Sequence, residues 1–194
     1  MDAEIDEMIS SKIMINPIEI ISKYYRPGSK AYELLVVHSQ QVANKAVDIA
    51  RQMNSRNIDA GFVKEAAMLH DIGIFLTHAP SLECRGPHPY LRHGLLGNRI
   101  LNKEGLGRHA LVCERHVGAG ITRQDILDQG LPLPAREMLP VTLEEKIICY
   151  ADKFFSKNNG APPREKALDD VVQELRTYGM AQAERFLDLH AQFS

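Results

Sequence analysis

The sequence predicts an all-α protein, and three observations carry that reading. Apolar residues recur at helical spacing along nearly every segment, cap-forming residues stand just before those periodic stretches, and no segment alternates strongly enough to be a strand. At 194 residues the chain is long enough for one well-buried core with small appendages. The pattern divides it into an N-terminal helical extension (residues 1–28), a core (29–157), and a linker with a C-terminal helical extension packed on that core (158–194).

Residues 1–14 read as a short amphipathic helix, with Ile5, Met8, Ile9 and Ile13 on one face. Asn16-Pro17 then supplies an N-cap and a proline at the first helical position, opening a helix to about Tyr25. Pro27-Gly28 breaks it, and Ser29 caps a long helix reaching about Met53. Asp59 caps the next, which runs to His70 and Asp71, where Gly73 helps to end it. Between Phe75 and Arg92 the periodicity disappears, and Pro80, Gly86, Pro87 and Pro89 suit a lid or binding loop. Helical pattern returns over 93–103, 108–117 and 122–129, before Pro132, Pro134 and Pro140 enforce an extended loop. Thr142 and Glu145 have the spacing of a capping box for the helix carrying Asp152. After a turn-rich linker at 158–163, Leu168, Val171, Val172 and Leu175 form an apolar stripe.

Composition excludes several classes of function. Lysine and arginine total 23 against 25 acidic residues, a net charge of −2, which argues against a general grip on a nucleic-acid polymer. The acidic N-terminus lacks a secretory pattern, and no apolar run approaches the roughly 20 residues that cross a bilayer. A cytoplasmic location is therefore expected. Cys84, Cys113 and Cys149 form neither a disulfide scaffold nor a zinc knuckle, and the last two read as buried apolar residues.

The most informative feature is an ordered set of metal-type side chains: His38, the adjacent pair His70-Asp71, His93, His116 and Asp152. His38 lies on the stripe formed by Leu35, Val42, Ala46 and Ile49, so it faces inward. His70 and Asp71 follow Ala67 by three and four residues, and Asp152 follows Ile148 by four. His116 follows Val112 by four, while His93 leads into Leu96 and Ile100, with Gly94 and Gly97 leaving room for close approach. A buried aspartate is costly unless it binds a cation or accepts hydrogen bonds. Four histidines and two aspartates turned into one small core therefore point to a metal. Without thiolates the set suits Fe or Mn, then Ni, Co, Zn or Mg. Six ligands allow two divalent ions, with Asp71 as the bridge.

The order His38 … His70-Asp71 … Asp152 resembles the HD-domain superfamily of metal-dependent phosphohydrolases, whose fold is a helical bundle. His93 and His116 match the branch with a dinuclear site. The segments 93–97 and 143–152 look like those of bacterial diadenosine tetraphosphate hydrolases, and 114–122 resembles an HDIG-type group with no settled substrate. Ile74 and Phe75 stand where other branches carry a glutamate, and Ile74 and the lack of Gly-Tyr-Pro disfavour a cyclic-di-GMP phosphodiesterase of the HD-GYP type.

The resemblance implies hydrolysis of a phosphoester or phosphoanhydride in a nucleotide-like or other small phosphorylated substrate, by a metal-activated hydroxide. His38, His70, Asp71 and Asp152 would hold one ion, and His93, His116 and Asp71 the other. Asp71 and Lys153 are the expected catalytic residues. Lys153, Arg92, Arg99, Arg115 and His88 are the expected substrate contacts, with His78 and Tyr90 also in the loop, while His109 and His190 are expected to be structural. A homo-oligomer is compatible with the sequence. Two rival readings use the same ligands: a di-iron oxygenase of the same fold, and a metal-binding regulatory module without turnover.

Overall fold

The computed structural model describes residues 15–53, 58–157 and 164–194. The expected helix at 1–14 and the turn-rich linker at 158–163 lie outside the described residues. What is described is dominated by helices: α1 (Pro17–Tyr24), α2 (Lys30–Gln52), α3 (Ala60–Leu69), α4 (His93–Lys103), α5 (Gly107–Arg115), α6 (Arg123–Gln129), α7 (Leu143–Asp152), α8 (Leu168–Tyr178) and α9 (Met180–Phe193).

Local capping chemistry explains most helix starts. Asn16 accepts from the Ile18 N–H, Ser29 from Tyr32, Asp59 from Phe62 and Thr142 from Glu145, each satisfying a donor the helix leaves unpaired. Thr122 and Asp125 make a complete reciprocal box at α6. The box expected at Thr142 is only half formed. The Glu145 carboxylate turns away to accept from the Val141 N–H at 2.7 Å and to hold Arg115.

Gly73 does not end α3 as expected. The helix stops at Leu69, and a 3₁₀ turn over Ile72–Leu76 follows, with Gly73 inside it. A Cβ at Gly73 would lie 2.2 Å from the His93 carbonyl oxygen and 2.4 Å from the Gly97 nitrogen, so glycine here lets the turn press against α4. Gly94 and Gly97 do the same toward Cys113 on α5, which makes their role helix packing. Tyr25 fixes the turn from outside: its hydroxyl donates to the Ile72 carbonyl at 3.1 Å and accepts from the Phe75 N–H at 3.0 Å.

The irregular stretch contains a two-stranded antiparallel hairpin, β1 (His78–Ala79) with β2 (Cys84–Arg85), which sequence periodicity does not reveal. Strands of two residues are too short to alternate detectably.

One large core joins α2, α3, α7, α8 and α9 through Val42, Val63, Ile147, Val171 and Phe186. Ile147 and Ile148 are fully buried, and burial of each contributes roughly 1.5–3 kcal/mol. A second cluster gathers Ile21, Leu69, Ile72 and Leu101 around the turn. Cys84, Cys113 and Cys149 are all free and buried. Among the described residues no helix is long and apolar enough to cross a membrane.

Candidate metal centre

The six side chains singled out in the sequence meet at the centre of the bundle, all at most 4% exposed. Helix ends bring them there. His70 and His116 are the first residues past α3 and α5, Asp152 closes α7, and His93 opens α4, while His38 projects from the middle of α2.

They form two groups that share Asp71. His38, His70, Asp71 and Asp152 present ligand atoms all within 4.8 Å of one another, as do Asp71, His93 and His116. In the first, His38 Nε2 lies 3.0 Å from Asp152 Oδ1 and 3.3 Å from Asp71 Oδ2, and His70 Nε2 lies 3.2 Å from Asp71 Oδ2. In the second, Asp71 Oδ1 is 3.3 Å from His93 Nε2 and 3.4 Å from His116 Nε2, and these two nitrogens are 3.1 Å apart. The two carboxylate oxygens thus face different groups.

Hydrogen bonding orients the rings for coordination. Nδ1 of His70 is 2.6 Å from the Ala67 carbonyl, that of His93 2.8 Å from Tyr90, and that of His116 2.8 Å from Cys113. A carbonyl only accepts, so Nδ1 carries a hydrogen in each, and whenever the ring is neutral its Nε2 lone pair is the one turned inward. For His70 and His116 the accepting carbonyls belong to the last helical turn, where no backbone donor reaches them.

A cation fits this donor set. Both oxygens of Asp71 and Nδ1 of His38 are buried without a hydrogen-bond partner. Lone pairs spaced 3.0–3.4 Å apart repel unless something positive lies between them. For bonds of ~2.1 Å, adjacent ligands stand ~3.0 Å apart in an octahedron and ~3.4 Å apart in a tetrahedron, so the spacing suits a first-row divalent ion.

Electrostatics around the groups follow from burial and close charges. Burial holds His93 down at about 3 against the pull of Asp71, and lowers His116 as well. Burial also disfavours charge on His70, but Asp71 and Asp152 outweigh it and raise this ring to about 9. Asp71 is held well below the usual carboxylate range, where burial is opposed by His70 and Lys157. Asp152 is depressed likewise, its burial outweighed by Lys153 and Lys157.

Lys157 has no role in the sequence reading. Its Nζ lies 2.7 Å from Asp71 Oδ2, an ion pair without hydrogen-bond geometry, and 3.9 Å from Asp152 Oδ1. Lys153, which the sequence does single out, pairs with Asp152 Oδ2 at 2.5 Å. The only available signal for Lys157 is a lysine five residues past Asp152.

A cavity of about 770 Å³ opens beside the centre, bordered by His93, His116, Asp152, Lys153 and Lys157, with His78 and Tyr90 at its rim. The other expected substrate contacts do not line it. Arg115 donates from Nη1 to both Glu145 carboxylate oxygens at 2.9 Å, Arg99 is exposed on α4, and Arg92 lies outside the cavity lining. His88 acts through its backbone, its carbonyl accepting from the His78 N–H at 2.7 Å. His109 sits 3.4 Å from Glu65, and His190 accepts or donates at 2.8 Å with the Tyr150 hydroxyl, both away from the centre.

Comparison with known proteins identifies the family. The HD domain family matches residues 35–156. An uncharacterised protein of Methanocaldococcus jannaschii is 32% identical over 145 residues, 73% of this chain and 75% of that protein. A tRNA (cytidine(56)-2'-O)-methyltransferase of Thermoplasma volcanium is 32% identical over 92% of this chain but 47% of the enzyme. The enzyme of the same name from Picrophilus torridus is 33% identical over 66% of this chain and 33% of its own length. The chain thus spans less than half the length of these methyltransferases. Among solved structures, the HD domain of the L. monocytogenes phosphodiesterase PgpH superposes with a TM-score of 0.51 at 15% identity, over 89% of this chain and 94% of that one. That likeness concerns the fold.

Proposed function

The chain belongs to the HD domain family, and from that premise we propose that it is a metal-dependent phosphohydrolase. Its substrate in this reading is a small, nucleotide-like phosphorylated molecule, cleaved at a phosphoester or phosphoanhydride bond. The observation that carries the reading is the buried Asp71 carboxylate, with one oxygen toward His38 and His70 and the other toward His93 and His116. Six nitrogen and oxygen ligands without thiolate favour two divalent ions, Fe or Mn first, with Ni, Co, Zn or Mg as alternatives. Such ions supply hydroxide at neutral pH and neutralise charge on the phosphoryl oxygens.

The chain's own groups supply orientation and further charge. Asp71 holds the two groups in register, and its substitution by asparagine removes the bridge. Lys153 and Lys157 line the cavity beside their carboxylate partners Asp152 and Asp71, where their positive charge would attract a phosphate to the centre. His93 and His116 are themselves buried, which keeps their rings neutral and available as ligands. Methyl transfer is not part of this reading, since more than half of each related methyltransferase lies outside the match.

The test is to purify the protein anaerobically, load it with Mn or Fe, and screen nucleotides, dinucleoside polyphosphates, sugar phosphates and tRNA-derived nucleotides. Phosphate release and oxygen uptake are followed together. Metal-dependent phosphate release that vanishes in Asp71→Asn is expected. Substrate-dependent oxygen uptake without phosphate release would replace the hydrolase with an oxygenase, and ligand binding without either would replace it with a regulatory module.

A further inference from the structure

The cavity beside the metal centre is larger than a phosphoryl group needs, and part of its wall comes from outside the matched family region. About 770 Å³ is the scale of a whole small-molecule ligand. Its near end holds His93, His116, Asp152 and Lys153, all within residues 35–156. Outside that region α8 lines it through Val171, Glu174, Leu175 and Tyr178, and Leu131, from the loop after α6 within the matched region, lines it too.

The two ends differ in chemistry. Cations and metal-type ligands crowd the near end. At the far end Val171 and Leu175 are buried apolar side chains at 1% and 3% exposure, while Tyr178, the last residue of α8, is 58% exposed. The Tyr178 side chain makes no hydrogen bond, ion pair or ring contact among the described residues, whereas Tyr150 packs its ring against Phe154, Phe186, His190 and Phe193. An aromatic ring left without a partner on the wall of a cleft offers its face to a flat ligand. Beside it, Glu174 is tied to Lys166 at 2.5 Å, and both line the cavity, so polar edges of that ligand meet a donor and an acceptor.

We propose that α8 forms a subsite for an aromatic base, stacked on Tyr178 over the Leu131 and Leu175 side chains, and that the C-terminal extension therefore selects the substrate's non-phosphate half. The proposal rests on the reading of the near end as a phosphate site. Stacking tolerates any base, because every base has a π-face, so this wall favours nucleotides as a class over sugar phosphates.

Binding to the Mn-loaded full chain tests the subsite without requiring turnover. Two hydrolysis-resistant probes are compared by calorimetry: methylenediphosphonate, and adenosine 5′-(α,β-methylene)diphosphate, which carries the same phosphonate group plus adenosine. The adenosine probe should bind about tenfold more tightly, the scale of one base–aromatic stack. Tyr178→Ala should remove most of that advantage and leave methylenediphosphonate unchanged, while Tyr178→Phe should retain it. Equal affinity of the two probes for the wild-type chain, or an adenosine advantage that survives Tyr178→Ala, overturns the proposal. If the advantage behaves as expected but no phosphate ester is hydrolysed, the hydrolase reading fails and the subsite stands.

Discussion

Replacing Gln182 with alanine probes how the C-terminal extension holds the loop that follows His116. The Gln182 side chain is 6% exposed, its Oε1 accepts from the Ala119 N–H at 2.8 Å, and its Nε2 donates to the Gly120 carbonyl at 2.9 Å. Truncation leaves the Ala119 N–H, in a residue 2% exposed, without its partner, which costs about 1–3 kcal/mol. The Gly120 carbonyl keeps Arg185 at 3.2 Å, so the second loss adds only about 0.5–1 kcal/mol. The sum is about 1.5–4 kcal/mol, and at roughly 2–4 °C per kcal/mol for a chain of this length the melting temperature falls by roughly 3–16 °C. Urea and thermal unfolding of the metal-free protein measure this, with the exposed Gln173→Ala on α8 as a control expected to change stability by less than about 0.5 kcal/mol. Since His116 lies only three residues before the clamped Ala119, manganese affinity should weaken as well. A Gln182→Ala protein that unfolds like the wild type and binds manganese equally well would refute the clamp.

Lys157→Met should bind metal but lose about 100-fold in kcat/KM on a phosphate ester, the scale of removing one preorganised donor, and unchanged kinetics would remove Lys157 from the site. His70 is raised to about 9 in the folded metal-free chain from an ordinary 6.5. Its proton therefore stabilises the metal-free fold fully below pH 6.5, and that contribution disappears as pH rises through 9. Manganese must displace that proton, so apparent affinity should climb with pH up to about 9, roughly tenfold per unit for one proton, and a flat profile contradicts the assignment. Arg115→Ala should leave KM within about twofold while lowering stability by about 2–3 kcal/mol, because it strands the 5%-exposed Glu145 carboxylate with the Val141 N–H alone. Denaturant midpoints and steady-state kinetics separate these effects.

What could be read in the sequence was what local chemistry determines. Asn16, Ser29, Asp59 and Thr142 announce helix starts because a cap bonds within three residues of itself. The inward facing of His38 and Asp152 was legible for a similar reason, since helical spacing turns each toward an apolar stripe, while His70 and Asp71 lie just past the end of α3. Relations across the chain were not. Gly73 looks like a helix terminator but serves the contact with α4, and Glu145 has the spacing of a capping box but answers to Arg115 on another helix. Arg115 reads as a phosphate ligand until Glu145 is seen to hold it. Lys157 and Gln182 lie outside regular pattern or far along the chain, and only the packed structure shows what they touch.

The central claim is that Asp71 joins two metal sites in one centre. Titrating manganese into the metal-free full chain, by calorimetry, measures it directly in the wild type and in His116→Ala. Two ions per chain in the wild type and one in the variant, with His38, His70, Asp71 and Asp152 retaining theirs, is the predicted result. One ion in both proteins, or no saturable binding in either, would contradict the bridged centre.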